Sequence, residues 1–248
     1  MVTAIPEAES VANYDYSYTD KEIWLTGLPR FDRLRHNEQK LITIMPTWRN
    51  YLVSRVDPKT GTRELKDGFE QSDFFQFYNA LLNDERLLSF AEEKGYTIQF
   101  FPHPLLQPHV ERFDHNEKVR FLKYGTRYSD VYATSNLIVS DYSSAVYDFL
   151  YLRKPIVYCQ FDSDVFFSGQ HTYTKGYFDY KRDGFGEIEV TVDGAVDRII
   201  EYINNGCQLK PMYRERLDAF FAYSDAHNCE RVYDAIMNKL HNGEGSGR

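Results

Sequence analysis

The sequence has few cysteines and no glycine-rich nucleotide loop. Its three cysteines, Cys159, Cys207 and Cys229, are far apart and match no zinc spacing or disulfide framework, so we expect reduced thiols. Neither a P-loop motif nor a GxGxxG motif is present. This argues against P-loop NTP hydrolysis and Rossmann-type NAD binding. No Ser-His-Asp order and no HExxH pattern stands out.

Basic residues are outnumbered by acidic ones, 29 to 37, and long apolar runs are missing. The net charge of −8 ranks binding to a nucleic acid polymer low, because such proteins usually carry a basic face. No apolar run approaches the roughly 20 residues that span a bilayer. The first residues, MVTAIPEAES, lack the basic region and apolar core of a signal peptide. We therefore expect a cytoplasmic protein, with peripheral attachment to the inner face of the membrane left open.

Short apolar runs alternate with segments of helical spacing through most of the 248 residues. This order predicts an α/β fold, a doubly wound, Rossmann-like parallel sheet with helices on both faces. We expect a loose lead-in over 1–21, one domain over 22–241 and a disordered tail over 242–248. The predicted strands are 22–27, 41–46, 97–101, 119–122, 136–140, 155–159 and 187–191. Ligands of such folds bind beyond the carboxyl ends of the strands.

Two adjacent serines, Ser143 and Ser144, fall where the strand at 136–140 gives way to a predicted helix over 144–152. The first turn of a helix presents unpaired N–H groups, and serine hydroxyls add donors, so a phosphate binds readily there. A serine in this place is equally typical of an N-cap. Both interpretations stay open from the residues alone.

His103 and Arg49 each follow a predicted strand directly. Pro102 and Pro104 restrict the backbone around His103, and a rigidly presented imidazole can donate to a phosphate or act as an acid. The guanidinium of Arg49 suits phosphate binding, although a surface ion pair is the commonest fate of an arginine. The alternative for His103 is a surface histidine in a stiff turn.

Near the last predicted helix, Arg231 follows Asp225 and Asn228. Arg231 is a further candidate for phosphate binding, and the other two are typical capping residues. His103, His109 and His115 recur every six residues, which matches no metal spacing. We therefore predict no metal site and no cofactor.

Several segments in order resemble the CDP-glycerol glycerophosphotransferases, the teichoic acid and capsule polymerases. These segments are TGLPRFD (26–32), PTWR (46–49), PHP (102–104), SDYSS (140–144) with YDFLYLRKPIVY (147–158), and FD (161–162). The resemblance runs from about residue 22 to residue 240. SDYSS followed by a helix and KPI is its most specific part.

The resemblance implies the C-terminal, donor-binding half of a two-domain GT-B transferase. It implies transfer of glycerol phosphate from CDP-glycerol, or a related CDP-alditol, to a hydroxyl of a polyol-phosphate or glycan-lipid acceptor. The family's N-terminal half, which carries a catalytic histidine in a WHG-like motif, has no counterpart in this sequence and is expected as a partner domain.

On this interpretation, Ser143, Ser144 and Arg231 bind the donor phosphates, and His103 and Arg49 neutralise the phosphoryl oxygens. Asp141 orients the SDYSS turn, meets a ribose hydroxyl or caps the helix. Gly184 and Gly186 stand where the family often has a PGP-like turn, and they would let the backbone approach a ligand. Two alternatives remain: a GT-B transferase that uses CDP-ribitol or a nucleotide-sugar, and a non-catalytic nucleotide-binding module.

Overall fold

The computed structural model describes residues 1–13, 16, 18–19, 21–56, 58–59, 63–170 and 175–243. Its strands are β1 (Leu41–Ile44), β2 (Thr97–Phe100), β3 (Val119–Phe121), β4 (Ser135–Ser140), β5 (Ile156–Cys159) and β6 (Gly186–Glu189). The helices are α1 (Ile5–Asn13), α2 (Asp73–Leu82), α3 (Glu85–Glu93), α4 (Tyr128–Thr134), α5 (Val146–Tyr151), α6 (Ser163–Val165), α7 (Tyr180–Asp183), α8 (Val192–Asn204), α9 (Pro211–Phe220) and α10 (Asn228–Gly243). The predicted tail lies outside the described residues from 244 onward.

The six strands form one parallel sheet in the order β3-β2-β1-β4-β5-β6. The predicted doubly wound, Rossmann-like α/β fold is confirmed. The chain moves outward from β1 through β2 to β3, and then outward in the opposite direction from β4 through β5 to β6. The strand order therefore reverses between β1 and β4, and a crevice at such a reversal is the usual ligand site of the fold.

Alternation of side chains along the strands divides the core into two layers. Leu137 and Val139 of β4 face a layer built with α2, α3 and α8, whereas Ile138 between them faces the layer built with α5 and α9. All four residues of β1 are buried. The central strands are therefore mostly apolar, because both faces of each strand are covered. The core holds the strand ends, and the loops beyond them, in fixed positions.

Two predictions for the first residues were wrong. The loose lead-in over 1–21 contains α1, which packs against α9. The strand expected at 22–27 is a single bridge between Leu25 and Val2. Val2 and Ala4 are buried, and Ala4 pairs with Phe221. These two small apolar residues attach the start of the chain to the domain. Two residues are too few to form a periodic pattern in the sequence, so the attachment could not be predicted.

Within the described residues, no helix is long and apolar enough to span a bilayer. The cellular location stays a prediction.

Candidate functional site

The loops that follow β1 and β4 lie side by side at the reversal of strand order. The Ser140 hydroxyl at the end of β4 donates to the Met45 carbonyl at 2.7 Å. One residue later, the Asp141 carboxylate accepts the Thr47 N–H at 2.9 Å and its own loop's Tyr142 N–H at 2.7 Å. Buried hydrogen bonds therefore join the two loops and fix their spacing.

A buried ion-pair cluster lies beneath these loops. Arg49 Nη1 donates to Asp141 at 2.9 Å, and Arg49 Nε donates to Asp162, which follows β5, at 2.7 Å. The Arg49 side chain is 0% exposed. Burial by itself lowers the pKa of Arg49, but the charge of Asp141 and the contact with Asp162 outweigh it, so its pKa stands well above the ordinary value.

Aromatic side chains enclose the Arg49 guanidinium. Four rings lie within 6 Å of it: Phe74, Tyr142, Phe161 and Phe166. Such ring faces attract a cation, and here they also exclude water from it. A guanidinium with two buried carboxylates and this enclosure serves to join the ends of β1, β4 and β5.

Tyrosine hydroxyls complete the coordination of the two carboxylates. Tyr78 donates to Asp141 at 3.2 Å, while Tyr51 and Tyr142 donate to Asp162 at 3.2 and 3.4 Å. Burial, with the adjacent Asp162 charge, raises the pKa of Tyr51 to about 12. The hydroxyls thus stay protonated at neutral pH and act as donors. They compensate for the excess of carboxylates over guanidinium in the cluster.

The sequence predicts that Arg49 contacts phosphoryl oxygens, but the structure places its guanidinium out of reach of solvent. Its charge is paired with Asp141 and Asp162, so it adds no net positive potential to the crevice above. Asp141 is also 0% exposed; it orients the SDYSS turn through the Tyr142 N–H and does not cap α5, and its ribose contact stays a prediction. Both residues support the loops from below.

Ser143 and Ser144 lie in the turn between β4 and α5. Ser143 is half-buried and its hydroxyl oxygen accepts the Ala145 N–H at 3.3 Å, whereas Ser144 is exposed. Helix α5 begins at Val146, later than predicted, and no serine caps it. The N-cap alternative is thus not observed. The two hydroxyls follow Asp141 at the carboxyl edge of the sheet, and their role toward phosphate stays a prediction.

His103 follows β2 and is held next to the β1 loop. The backbone N–H of His103 donates to the Pro46 carbonyl at 3.1 Å, and the centres of the His103 and Trp48 rings lie 6.1 Å apart. Nδ1 accepts the Leu105 N–H at 3.2 Å. A neutral imidazole that accepts at Nδ1 carries its proton on Nε2, so this contact sets the tautomer. Hydrogen bonds thus hold both the backbone and the ring of His103, and its role towards phosphate stays a prediction.

Arg231 is bound to protein acceptors at the start of α10. Its guanidinium donates to both carboxylate oxygens of Asp225, at 2.8 and 3.0 Å, and to Asn228 Oδ1 at 2.8 Å. It also stacks 3.7 Å from the centre of the Tyr223 ring. The hydrogen bonds to Asp225 raise its pKa. This arrangement favours a structural role over the predicted contact with phosphate.

Gly184 and Gly186 lie at the opposite edge of the sheet. Gly186 is the first residue of β6 and pairs with Ile156, the first residue of β5, so it lies at the amino ends of the strands. A Cβ on Gly186 would stand 1.9 Å from the Ile156 carbonyl oxygen, and one on Gly184 would stand 2.1 Å from the Tyr180 carbonyl oxygen. Close packing of the backbone accounts for both glycines, and their expected approach to a ligand is not supported.

Two residues of the site had no assigned role at the level of sequence. Asp162 belongs to the FD pair, and Thr47 to the PTWR segment. Thr47 and Asp162 each lie three residues beyond the end of a strand, and Asp141 directly follows one. The signal for Asp162 in the sequence is an acidic residue shortly after a predicted buried strand. An acid buried in such a place needs a partner of opposite charge, because an unpaired buried charge is costly.

No group of three metal-ligating side chains occurs among the residues that the structure describes. The need for a metal is not decided by this, and its absence stays a prediction. A groove of about 540 Å³ between α1, α9 and residues 177–185 has none of the loop residues after β1, β2 or β4 in its lining.

A family profile described as CDP-Glycerol:Poly(glycerophosphate) glycerophosphotransferase matches residues 1–238. The chain belongs to this family. The suspected resemblance is therefore confirmed.

Two curated relatives act in teichoic acid synthesis by their names. The minor teichoic acid biosynthesis protein GgaB of Bacillus subtilis (strain 168) is 38% identical over 238 residues, which cover 96% of this chain and 26% of GgaB. A teichoic acid glycerol-phosphate transferase of Staphylococcus aureus (strain NCTC 8325 / PS 47) is 23% identical, over 96% of this chain and 60% of that protein. The chain thus spans about a quarter of one relative and three fifths of the other.

The wall teichoic acid polymerase TagF is similar in structure. Its H444N variant matches with a TM-score of 0.64 at 17% identity, over 98% of this chain and 58% of TagF. The same variant soaked with CDPG also matches with a TM-score of 0.64. At this identity, the likeness shows that the chain shares the fold of that part of TagF.

Proposed function

We propose that the chain is the donor-binding part of a glycerophosphotransferase that takes CDP-glycerol as substrate. The diphosphate of the donor binds at the carboxyl edge of the sheet, between the β1 and β4 loops, beside the hydroxyls of Ser143 and Ser144. One observation carries the proposal: Asp141 joins these two loops at the reversal of strand order, in a chain that belongs to this family. The TagF variant soaked with CDPG supports the choice of donor.

In the proposed reaction, a hydroxyl oxygen of the acceptor forms a bond to the phosphorus that carries glycerol. The bond from that phosphorus to the bridging oxygen breaks, and CMP leaves with the bridging oxygen and its electron pair. The hydroxyl proton passes to a base, which we expect in the N-terminal half of the family's enzymes. Catalysis of such a substitution consists mainly of positioning and of stabilising spread negative charge.

His103 is the proposed catalytic residue of this chain. With Nδ1 occupied by the Leu105 N–H, the Nε2–H is the group that donates to a phosphoryl oxygen as charge develops on it. Arg49 and Asp141 are positioning residues, since they hold the loops and do not face the crevice. Because Arg49 and Arg231 are both paired with carboxylates, we expect modest affinity for the donor from this chain alone.

Isothermal titration calorimetry with CDP-glycerol tests the site. We expect Ser144→Ala and His103→Ala each to weaken binding about ten- to hundredfold, since each removes one hydrogen bond to a charged group. Ser89→Ala, an exposed serine on α3, is the control and should bind as the wild type does. Unchanged affinity in both site variants would reject this location.

The donor alditol needs a separate experiment. A thermal-shift panel of CDP-glycerol, CDP-ribitol, CMP and nucleotide-sugars should give the largest rise in melting temperature with CDP-glycerol. A larger rise with CDP-ribitol or a nucleotide-sugar would transfer the proposal to that donor and leave the site unchanged. Binding without turnover in the presence of the N-terminal half would favour the non-catalytic alternative.

A further inference from the structure

Thr47 carries a buried hydroxyl without a partner at the reversal of strand order. The residue is 5% exposed, and its Oγ1 has neither solvent contact nor a hydrogen bond within the described part of the protein. Most buried polar atoms are satisfied, and an unsatisfied one costs folding free energy. An orphan hydroxyl in this position therefore needs an explanation.

Comparable hydroxyls nearby all have partners. Thr43, on β1, shares hydrogen bonds of 2.6 Å with Ser135 Oγ and with Gln99 Nε2. The Ser140 hydroxyl donates to the Met45 carbonyl. The lack of a partner thus distinguishes Thr47 from the hydroxyls that the strands bury. Thr47 lies three residues beyond the end of β1, in the loop at the reversal of strand order.

The backbone of Thr47 is held on both sides. Its N–H donates to the Asp141 carboxylate at 2.9 Å, and its carbonyl accepts from Arg49 Nη1 at 2.8 Å. The same ion pair that joins the loops therefore fixes Thr47 in position. Rotation about χ1 carries the hydroxyl to another staggered position without moving the held backbone. Such a rotation is the movement that would bring the hydroxyl to a ligand while its Cα stays in place.

We propose that Thr47 is a ligand contact, whose hydroxyl donates to a phosphoryl oxygen of the donor's diphosphate. The inference rests on the proposed function and adds a residue from β1 to the serines after β4. It also gives the buried Arg49–Asp141 pair a purpose, which is to position this hydroxyl. A diphosphate oxygen is a strong hydrogen-bond acceptor, and binding it would give the Thr47 hydroxyl the partner that it lacks in the free protein.

The test compares Thr47→Val with Thr43→Val in melting temperature and in calorimetric affinity for CDP-glycerol. Thr47→Val should leave the melting temperature unchanged or raised, because it removes an unsatisfied group, and should weaken binding about ten- to hundredfold. Thr43→Val should lower the melting temperature, because Ser135 and Gln99 each lose a buried hydrogen bond. Its affinity for CDP-glycerol should equal that of the wild type. Thr47→Ser keeps the hydroxyl and should stay within about twofold of wild-type affinity.

Two results would overturn the contact alone. One is wild-type affinity in Thr47→Val while Ser144→Ala weakens binding. The other is a loss of melting temperature in Thr47→Val as large as that in Thr43→Val, which would reveal an internal partner for the hydroxyl. If the wild-type chain binds no CDP-glycerol, the proposed function fails and the contact fails with it.

Discussion

Arg49 Nε lies 2.7 Å from Asp162 Oδ2, and both side chains are buried beneath the carboxyl edge of the sheet. The pair connects the loop after β1 to the loop after β5, across β4. Asp141, between them, accepts from the same guanidinium. The three charged residues thus hold the ends of β1, β4 and β5 together. A buried charge cluster of this kind is costly to interrupt, because removal of one partner leaves the others uncompensated.

Arg49→Met is expected to destabilise the protein by about 3–5 kcal/mol, the usual cost of breaking a buried ion pair. The matched control is Arg86→Met, since Arg86 pairs with Asp197 on the surface, where the two side chains are 50% and 65% exposed. The control should lose less than about 1 kcal/mol. Urea denaturation measures both. Equal losses in the two variants would show that the buried cluster is not a structural support.

Acid pH should weaken the attachment of α10. Asp32 accepts the N–H groups of Asn228 and Cys229 at the start of this helix, at 2.9 and 2.7 Å. Burial opposes its ionisation, but these hydrogen bonds outweigh burial and lower its pKa from 3.8 to about 2. Since the folded-state pKa is below the unfolded value, this stabilisation is complete above about pH 4 and is lost as the pH falls towards 2.

Asp32→Ala should therefore cost about 1 kcal/mol at pH 7, as loss of a helix cap does. Its difference from wild type in free energy of unfolding should shrink between pH 4 and pH 2. Asp234→Ala, an exposed carboxyl on α10, is the control and should change stability by less than about 0.5 kcal/mol. A gap between Asp32→Ala and wild type that persists down to pH 2 would contradict the assignment to the carboxylate.

The sheet was predictable because its strands are buried on both faces. The strands at 41–44, 97–100 and 156–159 are mostly apolar and, except for Thr97, buried. Helices α2, α3 and α8 each bury an apolar face. The start of the chain was not predictable in this way. Val2 and Ala4 attach through single backbone bridges, which leave no period in the sequence.

The site was predictable in location and less so in roles. Strand ends alone indicate that His103, Ser143 and Asp141 share one edge of the sheet. Whether an arginine after a strand faces a ligand or a buried carboxylate depends on residues distant in sequence. Asp162 lies 113 residues from Arg49 along the chain, and nothing local to Arg49 indicates this partner.

Gly186 offers a direct test of packing against ligand contact. Gly186→Ala would place a Cβ against the Ile156 carbonyl in the sheet, so we expect a loss of at least about 2 kcal/mol from overpacking. Gly176→Ala is the control, since a Cβ there meets nothing within 4 Å and should leave stability nearly unchanged. Thermal denaturation with and without CDP-glycerol separates the two roles. If Gly186→Ala had wild-type stability but no longer bound CDP-glycerol, the result would favour a contact between Gly186 and the ligand.

The isolated chain should bind the donor and turn it over poorly. Its relatives are longer, and the proposed base for the acceptor hydroxyl is expected in their additional part. Removal of a general base typically costs 10²–10⁴-fold in rate. We therefore expect CMP release by the 248-residue protein to be slower by about that factor than by a longer relative assayed with the same acceptor. His103→Ala should lower the residual rate further, and Ser89→Ala should not. Rapid polymer formation by the purified chain would show that its own residues supply the base, and His103 would then be the first to examine.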